Sequence, residues 1–181
     1  MSRWRLVTAS VLFGIGLAFG LLRPPVVPRA GTVTTRDIVA RSHRPPSVRW
    51  LVRRNLRPFG LLALGIVLGG LPTCVSLVGL GFVVAVRVAD VAARVSLPLV
   101  AASVVPHALP ELAAYIVGGA GGLGGLAIVR ALARGDGRAA RATLVGSARL
   151  IGVGFVLLVA AACVEHAVTP VLIRIAAQWA N

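Results

Sequence analysis

Apolar positions in this chain come in long blocks, not in the alternating or one-faced patterns of water-soluble elements. No charged residue lies between Arg57 and Arg87. About 20 apolar residues suffice to cross a bilayer as a helix, so this block alone exceeds one span. Shorter uncharged blocks occupy residues 6–22, 95–110, 112–129 and 150–164. The pattern predicts an all-α, polytopic transmembrane helical bundle of about five hydrophobic helices. One segment is expected to be proline-broken or re-entrant, and a short interfacial helix is expected at the C-terminal end.

Three regions follow. Residues 1–22 carry arginines before an apolar core, as a signal sequence does, but lack an A-x-A-like site before Arg23. An uncleaved anchor helix is expected, ended by Pro24 and Pro25. Residues 23–58 form an arginine- and proline-rich extramembrane connector. Its Val48, Leu51, Val52 and Leu56 fall at helical spacing, which fits either an amphipathic helix in the headgroup layer or a lead-in to the next span. Residues 59–181 form the helical membrane domain. Within it, Pro72 in Gly-Gly-Leu-Pro marks a helix break. Pro106 and Pro110 are expected to bracket a turn, leaving residues 95–105 as a half-helix and starting a new helix at Pro110. Residues 130–150 read as a basic hydrophilic loop.

Composition agrees with lipid as the solvent. Hydrophobic residues make up 57% and charged residues 13%, and the mean hydropathy is +0.91; soluble domains carry roughly 25% charged residues. The net charge of +14 comes from 19 arginines with no lysine. Nine of them lie in residues 23–58 and five in residues 130–149, flanking apolar blocks where basic residues set orientation and meet anionic headgroups. Aromatics do not interleave with them as on a nucleic-acid-binding face, so nucleic acid is excluded as a partner. Cys74 and Cys163 form no C-x-x-C pair and read as small buried hydrophobes. No metal or cofactor is expected.

The informative departures are polar groups inside apolar blocks. Pro106, His107 and Glu111 precede a run of glycines, and Glu165 and His166 close the last long block. Glu111 is expected in the first turn of a helix, where the dipole favours a carboxylate, with His107 donating to it. Such a cluster serves either as a structural cap or as a proton or ion relay; an unpaired acid at a helix centre costs about 2.5–3.5 kcal/mol. Gly118 with Gly122, and Gly121 with Gly125, fit the small-xxx-small spacing of closely packed membrane helices. Gly-Ala-Gly-Gly-Leu-Gly at residues 119–124 satisfies G-x-G-x-x-G, but it lacks the strand a dinucleotide site needs. Thr169 and Pro170 read as N-cap and first turn of a last, interfacial helix.

Asn55-Leu56, Gly70-Leu71-Pro72 and Gly79/Gly81 are followed by Pro106-His107, Glu111-Leu112 and Gly119–Gly121. Ala161-Ala162, Glu165 and Thr169-Pro170 complete the order. This order resembles the stage II sporulation protein M family. Ala108 stands where that family more often has glycine, and Leu77-Val78 where an asparagine usually precedes Gly79. The resemblance implies an integral membrane component that, in spore-formers, holds a cell-wall-degrading complex at the septum, with a lytic transglycosylase and an amidase as partners. It implies no catalytic residue.

The expected role is therefore a non-enzymatic, multi-pass scaffold of the cell membrane, linked to envelope remodelling. A small permease or channel-like component is the alternative. H-E-x-x-H and G-x-S-x-G are both absent. Expected partners are the lipid bilayer and membrane proteins, with a homo-oligomer left open. Two topologies compete. Five crossings from a cytoplasmic N-terminus put the residue 23–58 connector outside, against the positive-inside bias. Four crossings, with residues 95–109 re-entrant, put both basic connectors on one side.

Overall fold

The structure is a computed structural model that describes residues 3–23 and 34–179; Pro24 and Pro25, expected to end the first helix, lie outside them. Eight helices occupy the described residues: α1 Arg3–Leu21, α2 Thr35–Ser42, α3 Val48–Leu64, α4 Leu71–Ala92, α5 Leu97–Gly122, α6 Gly124–Ala133, α7 Gly137–Ala167 and α8 Thr169–Trp179. Four stretches are long and apolar enough to cross a membrane: α1, α4, α5 continued through α6, and α7.

The uncharged block after Arg57 is not one span. It is the second half of α3, a reversal at residues 65–70, and α4. Gly69 and Gly70 supply the reversal with φ of +63° and +86°, a left-handed conformation that costs glycine nothing. The Gly70 N–H closes the turn on the Gly65 carbonyl at 2.7 Å. Pro72 lies in the first turn of α4, where its missing N–H would have no helical partner anyway. The break precedes Pro72, which starts a helix and does not kink one.

Pro106 and Pro110 lie inside α5, not at a turn. Each removes one i→i−4 bond, but they are four residues apart, so both losses fall on one stripe and the remaining ladder continues. The expected half-helix at residues 95–105 is instead the first part of a helix about 39 Å long, and residues 95–109 do not re-enter. Glu111 consequently sits mid-helix. The expected loop at residues 130–150 is also mostly helix, with only a tight turn between α6 and α7. There Gly135 takes φ +73° and the Asp136 carboxylate accepts from the Ala139 N–H at 2.9 Å, starting α7.

Close contacts fix the helix directions. Gly16 abuts Val78 and Phe82, Gly20 abuts Phe82 and Ala85, and Gly81 abuts Phe13 and Leu17. Contacts that advance together mean that α1 and α4 run parallel. The chain between them must therefore return along the bundle, and α3 makes that return. Phe59 lies at Gly118, Leu62 at Gly122 and Gly65 at Gly125, so α3 runs parallel to α5 and opposite to α1 and α4. Helix α7 is antiparallel to α5, with Ser147 at Gly121 and Ala114 at Gly154. Five passes result, and α1 begins at the end of the bundle opposite α8. The segment that returns is α3 with its glycine turn.

Packing divides by solvent. The main core joins Phe59, Leu62, Leu77, Ala114, Tyr115 and Leu158, where shape fit and dispersion do the work in place of a hydrophobic force. Around it, Phe19, Val75, Val83, Val153 and Val156 are more than half exposed, an apolar belt that a water-soluble fold would not present. Cys163 belongs to that exposed surface and Cys74 is half-buried, so neither is the buried hydrophobe expected. A second core of Ile38, Val95, Leu99, Val100 and Ile173 lies at the α8 end. It joins α2, the start of α5 and α8. The described part of the connector, from residue 34 on, thus folds onto the bundle as a packed layer.

Candidate functional site

Two concavities meet at the α8 end, on either side of His107. One, of about 420 Å³, is lined by Arg41, Trp50, Arg54, His107, Glu165 and Thr169 among others. Its neighbour, of about 240 Å³, includes Arg54, Arg87, His107, Glu111 and Tyr115. Arg54 and His107 are common to both. Each cavity therefore holds one carboxylate, with a shared guanidinium and imidazole between them.

Each polar group arrives by simple helical geometry. Residues four apart on α3 stack Arg54 over Trp50, with the guanidinium carbon 5.3 Å from the ring centroid, a cation–π contact. The Arg54 Nε–H donates to Asn55 Oδ1 at 3.4 Å, which leaves its terminal nitrogens toward the cavities. On α5, the Tyr115 hydroxyl donates to Glu111 Oε1 at 2.9 Å across one turn. His107 does not take that carboxylate: its Nδ1 lies 3.4 Å from Thr169 Oγ1. The Thr169 proton goes to the Val164 carbonyl, also at 3.4 Å. With its proton on that carbonyl, Thr169 Oγ1 can accept from the His107 tautomer that carries its proton on Nδ1. The expected His107–Glu111 hydrogen bond is replaced by two bonds to other partners. Thr169 likewise bonds backward to α7 instead of capping α8.

Glu165 and His166 separate as neighbours on a helix must. Glu165 lines the larger cavity, while His166 Nδ1–H donates to the Pro46 carbonyl at 2.9 Å. From α8, Arg174 Nη1 donates to the Ser42 carbonyl at 3.0 Å. These two bonds fasten the connector to α7 at Pro46, within its Pro45-Pro46 corner, and to α8 at Ser42 before it. Among the described residues no group of three His, Cys, Asp or Glu side chains could hold a metal ion.

Away from the cavities, the glycines of α5 and α6 admit close neighbours. A Cβ at Gly118 would lie 2.6 Å from Phe59 Cε2, and one at Gly121 would lie 2.8 Å from the Ser147 carbonyl oxygen. At Gly122 it would strike the Leu62 carbonyl, and at Gly125 the Gly65 carbonyl. Gly118, Gly122 and Gly125 therefore face α3 and its turn, whereas Gly121 faces α7.

A family model described as Stage II sporulation protein M matches residues 9–170. The chain belongs to that family. The match spans α1 to the start of α8, so the polar lining of both cavities of this stage II sporulation protein M family member lies within it. Comparison with curated proteins gives no match, and comparison with solved structures gives none.

Sequence reasoning missed Arg54, Trp50 and Tyr115. Tyr115 carried a readable signal, since it lies four residues after an acid in an apolar block. Arg54 carried none, being one arginine in a run of four between Arg49 and Arg57.

Proposed function

We propose that this protein is a non-enzymatic, multi-pass scaffold of the cell membrane, which presents a fixed extramembrane platform to partner proteins of envelope remodelling. One observation carries the reading: residues 34–47 of the connector are fastened to the bundle. His166 and Arg174 bond their backbone to α7 and α8, and Ile38 is buried against Leu99, Val100 and Ile173. Burying such side chains stabilises by about 1.5–3 kcal/mol each, enough to hold a short helix in place. The polar groups join helices to one another, a use that fits positioning and not turnover. Family membership supports a membrane role connected with sporulation or its equivalents.

The test is site-specific photocrosslinking in the native membrane, with the probe at Arg41 or Arg49 on the platform and at Val75 or Val156 on the lipid-facing belt. The scaffold reading expects a protein adduct of one defined mass from both platform positions and none from the belt. Only lipid adducts at all four positions would remove it.

A second reading, conduction, rests on the paired cavities and their carboxylates. Flux into proteoliposomes would compare the wild type with Glu111→Gln and Glu165→Gln. Background flux in all three ends that reading, and loss in the variants alone establishes it.

A further inference from the structure

At the opposite end of the bundle, where α1 begins, a groove of about 240 Å³ lies between α1 and α6, lined by Trp4, Arg5, Leu123, Leu126, Ala127 and Arg130 among others. Residues 123, 126, 127 and 130 form one helical face. The groove has two guanidinium groups at its polar margin, an apolar floor and an indole that is 71% exposed. Its lining holds no acid.

Arg5 is not a surface arginine reaching for water. Its Nη1–H donates to Ser147 Oγ at 3.2 Å, and Ser147 is fully buried. The passage exists because residue 124 is glycine: a Cβ there would strike Ser147 Oγ and come within 2.8 Å of Arg5 Nη1. Anchored by one nitrogen, the guanidinium has its remaining donors held in place before any ligand arrives. That is the preorganisation that makes a planar fork selective for an oxyanion. The surroundings have the same sign. Arg3, Arg134, Arg138 and Arg141 share this end, and Asp136, the acid of the α6–α7 turn, is engaged as the cap of α7.

We propose that this groove is a specific binding site for one anionic phospholipid, with its phosphate between Arg5 and Arg130 and its glycerol and upper acyl chain over Leu123, Leu126 and Ala127. Charge excludes a second copy of this end as the occupant, since two such surfaces repel. Free phosphate would leave the apolar floor uncovered, whereas a lipid covers both parts. Trp4 sits where an interfacial indole is expected, at headgroup level. The proposal rests on the chain lying in a membrane and is independent of the scaffold role.

The experiment is native mass spectrometry of detergent-purified protein titrated with phosphatidylglycerol or phosphatidylcholine. The wild type is expected to retain one phosphatidylglycerol through delipidation and no phosphatidylcholine. Arg130→Gln is expected to weaken retention about fivefold, as one interfacial charge does. Arg134→Gln and Arg138→Gln, outside the groove, are expected to stay within about twofold. Arg130 is exposed, so its variant folds even where Arg5→Gln does not. A second readout uses Trp50→Phe/Trp179→Phe protein, in which chain-brominated phosphatidylglycerol should quench Trp4. Equal retention of the two lipids, equal weakening by Arg134→Gln, or displacement of the lipid by millimolar inorganic phosphate would each overturn the proposal. The last outcome would identify a free-anion site.

Discussion

His166, in the last turn of α7, donates its Nδ1–H to the carbonyl oxygen of Pro46, 2.9 Å away and 120 residues earlier in the chain. A proline carbonyl in a connector has no ladder to join, so this histidine is its partner. His166→Ala should therefore loosen the connector and leave the bundle intact. A neutral hydrogen bond contributes about 0.5–1.5 kcal/mol, so amide exchange in residues 34–47 should accelerate by roughly two- to tenfold. Exchange in α4 and α5 should not change. Hydrogen exchange read by mass spectrometry in detergent or nanodiscs checks both halves.

The start of α2 predicts a pH dependence. Asp37 accepts from the Thr34 backbone N–H at 2.9 Å and from its hydroxyl at 2.8 Å. The backbone hydrogen bond, followed by the hydroxyl, holds the Asp37 carboxyl below its ordinary value. A lowered folded value means that the cap is at full strength above the ordinary carboxylate pKa of about 4 and is lost as pH falls through the folded value. Protection of α2 amides should drop on acidification below about pH 4, before the bundle responds. Asp37→Asn should show the reduced protection already at neutral pH, with a flat profile.

Opposite outcomes are predicted for two helical glycines that differ in surroundings, Gly122 of α5 and Gly79 of α4. Gly122→Ala would place a Cβ on the Leu62 carbonyl and on Thr73 Oγ1, which itself donates to that carbonyl at 2.8 Å. Backbone cannot yield as a side-chain tip can, and overpacking of this kind costs about 1–3 kcal/mol. Gly79→Ala meets nothing within 4 Å and should be neutral or stabilising by about 0.4–1 kcal/mol. Thermal unfolding of the two variants in one detergent checks the sign of each.

Gly70 makes a separate prediction about the reversal between α3 and α4. At φ +86° an L side chain is strained by about 1–2 kcal/mol, although the surrounding space is open at ordinary contact distances. Gly70→Ala should lower the melting temperature where Gly60→Ala, helical with nothing within 4 Å, does not.

Which parts were legible follows from the range of the signal. The helices and their lipid-facing belt are written in uncharged blocks, and those can be read locally. The α5 glycines, too, sit at spacings that the backbone approach requires. Pro106 and Pro110 misled because proline is a breaker only where nothing holds the helix together on both sides; here α4, α7 and α8 pack along α5. Residues 130–150 misled because arginines at a membrane surface extend a helix into water as readily as they form a loop. The parallel run of α1 and α4 has no local signature at all. It depends on which glycines meet which helices, and it turns α3, with its four arginines, into the returning pass. His107 and Glu111 were legible as a pair of exceptions, but not their partners: Thr169 comes from a helix 62 residues later.

The returning pass of α3 is the claim on which the arrangement depends, and side-specific cysteine labelling tests it most directly. In a Cys74→Ala/Cys163→Ala background, single cysteines at Arg36 on α2, Trp179 on α8 and Arg138 on α7 would be probed with a membrane-impermeant maleimide in sealed vesicles of known orientation. Positions 36 and 179 are predicted to label from one side and position 138 from the other. Labelling of positions 36 and 138 from the same side would contradict the fold's five passes.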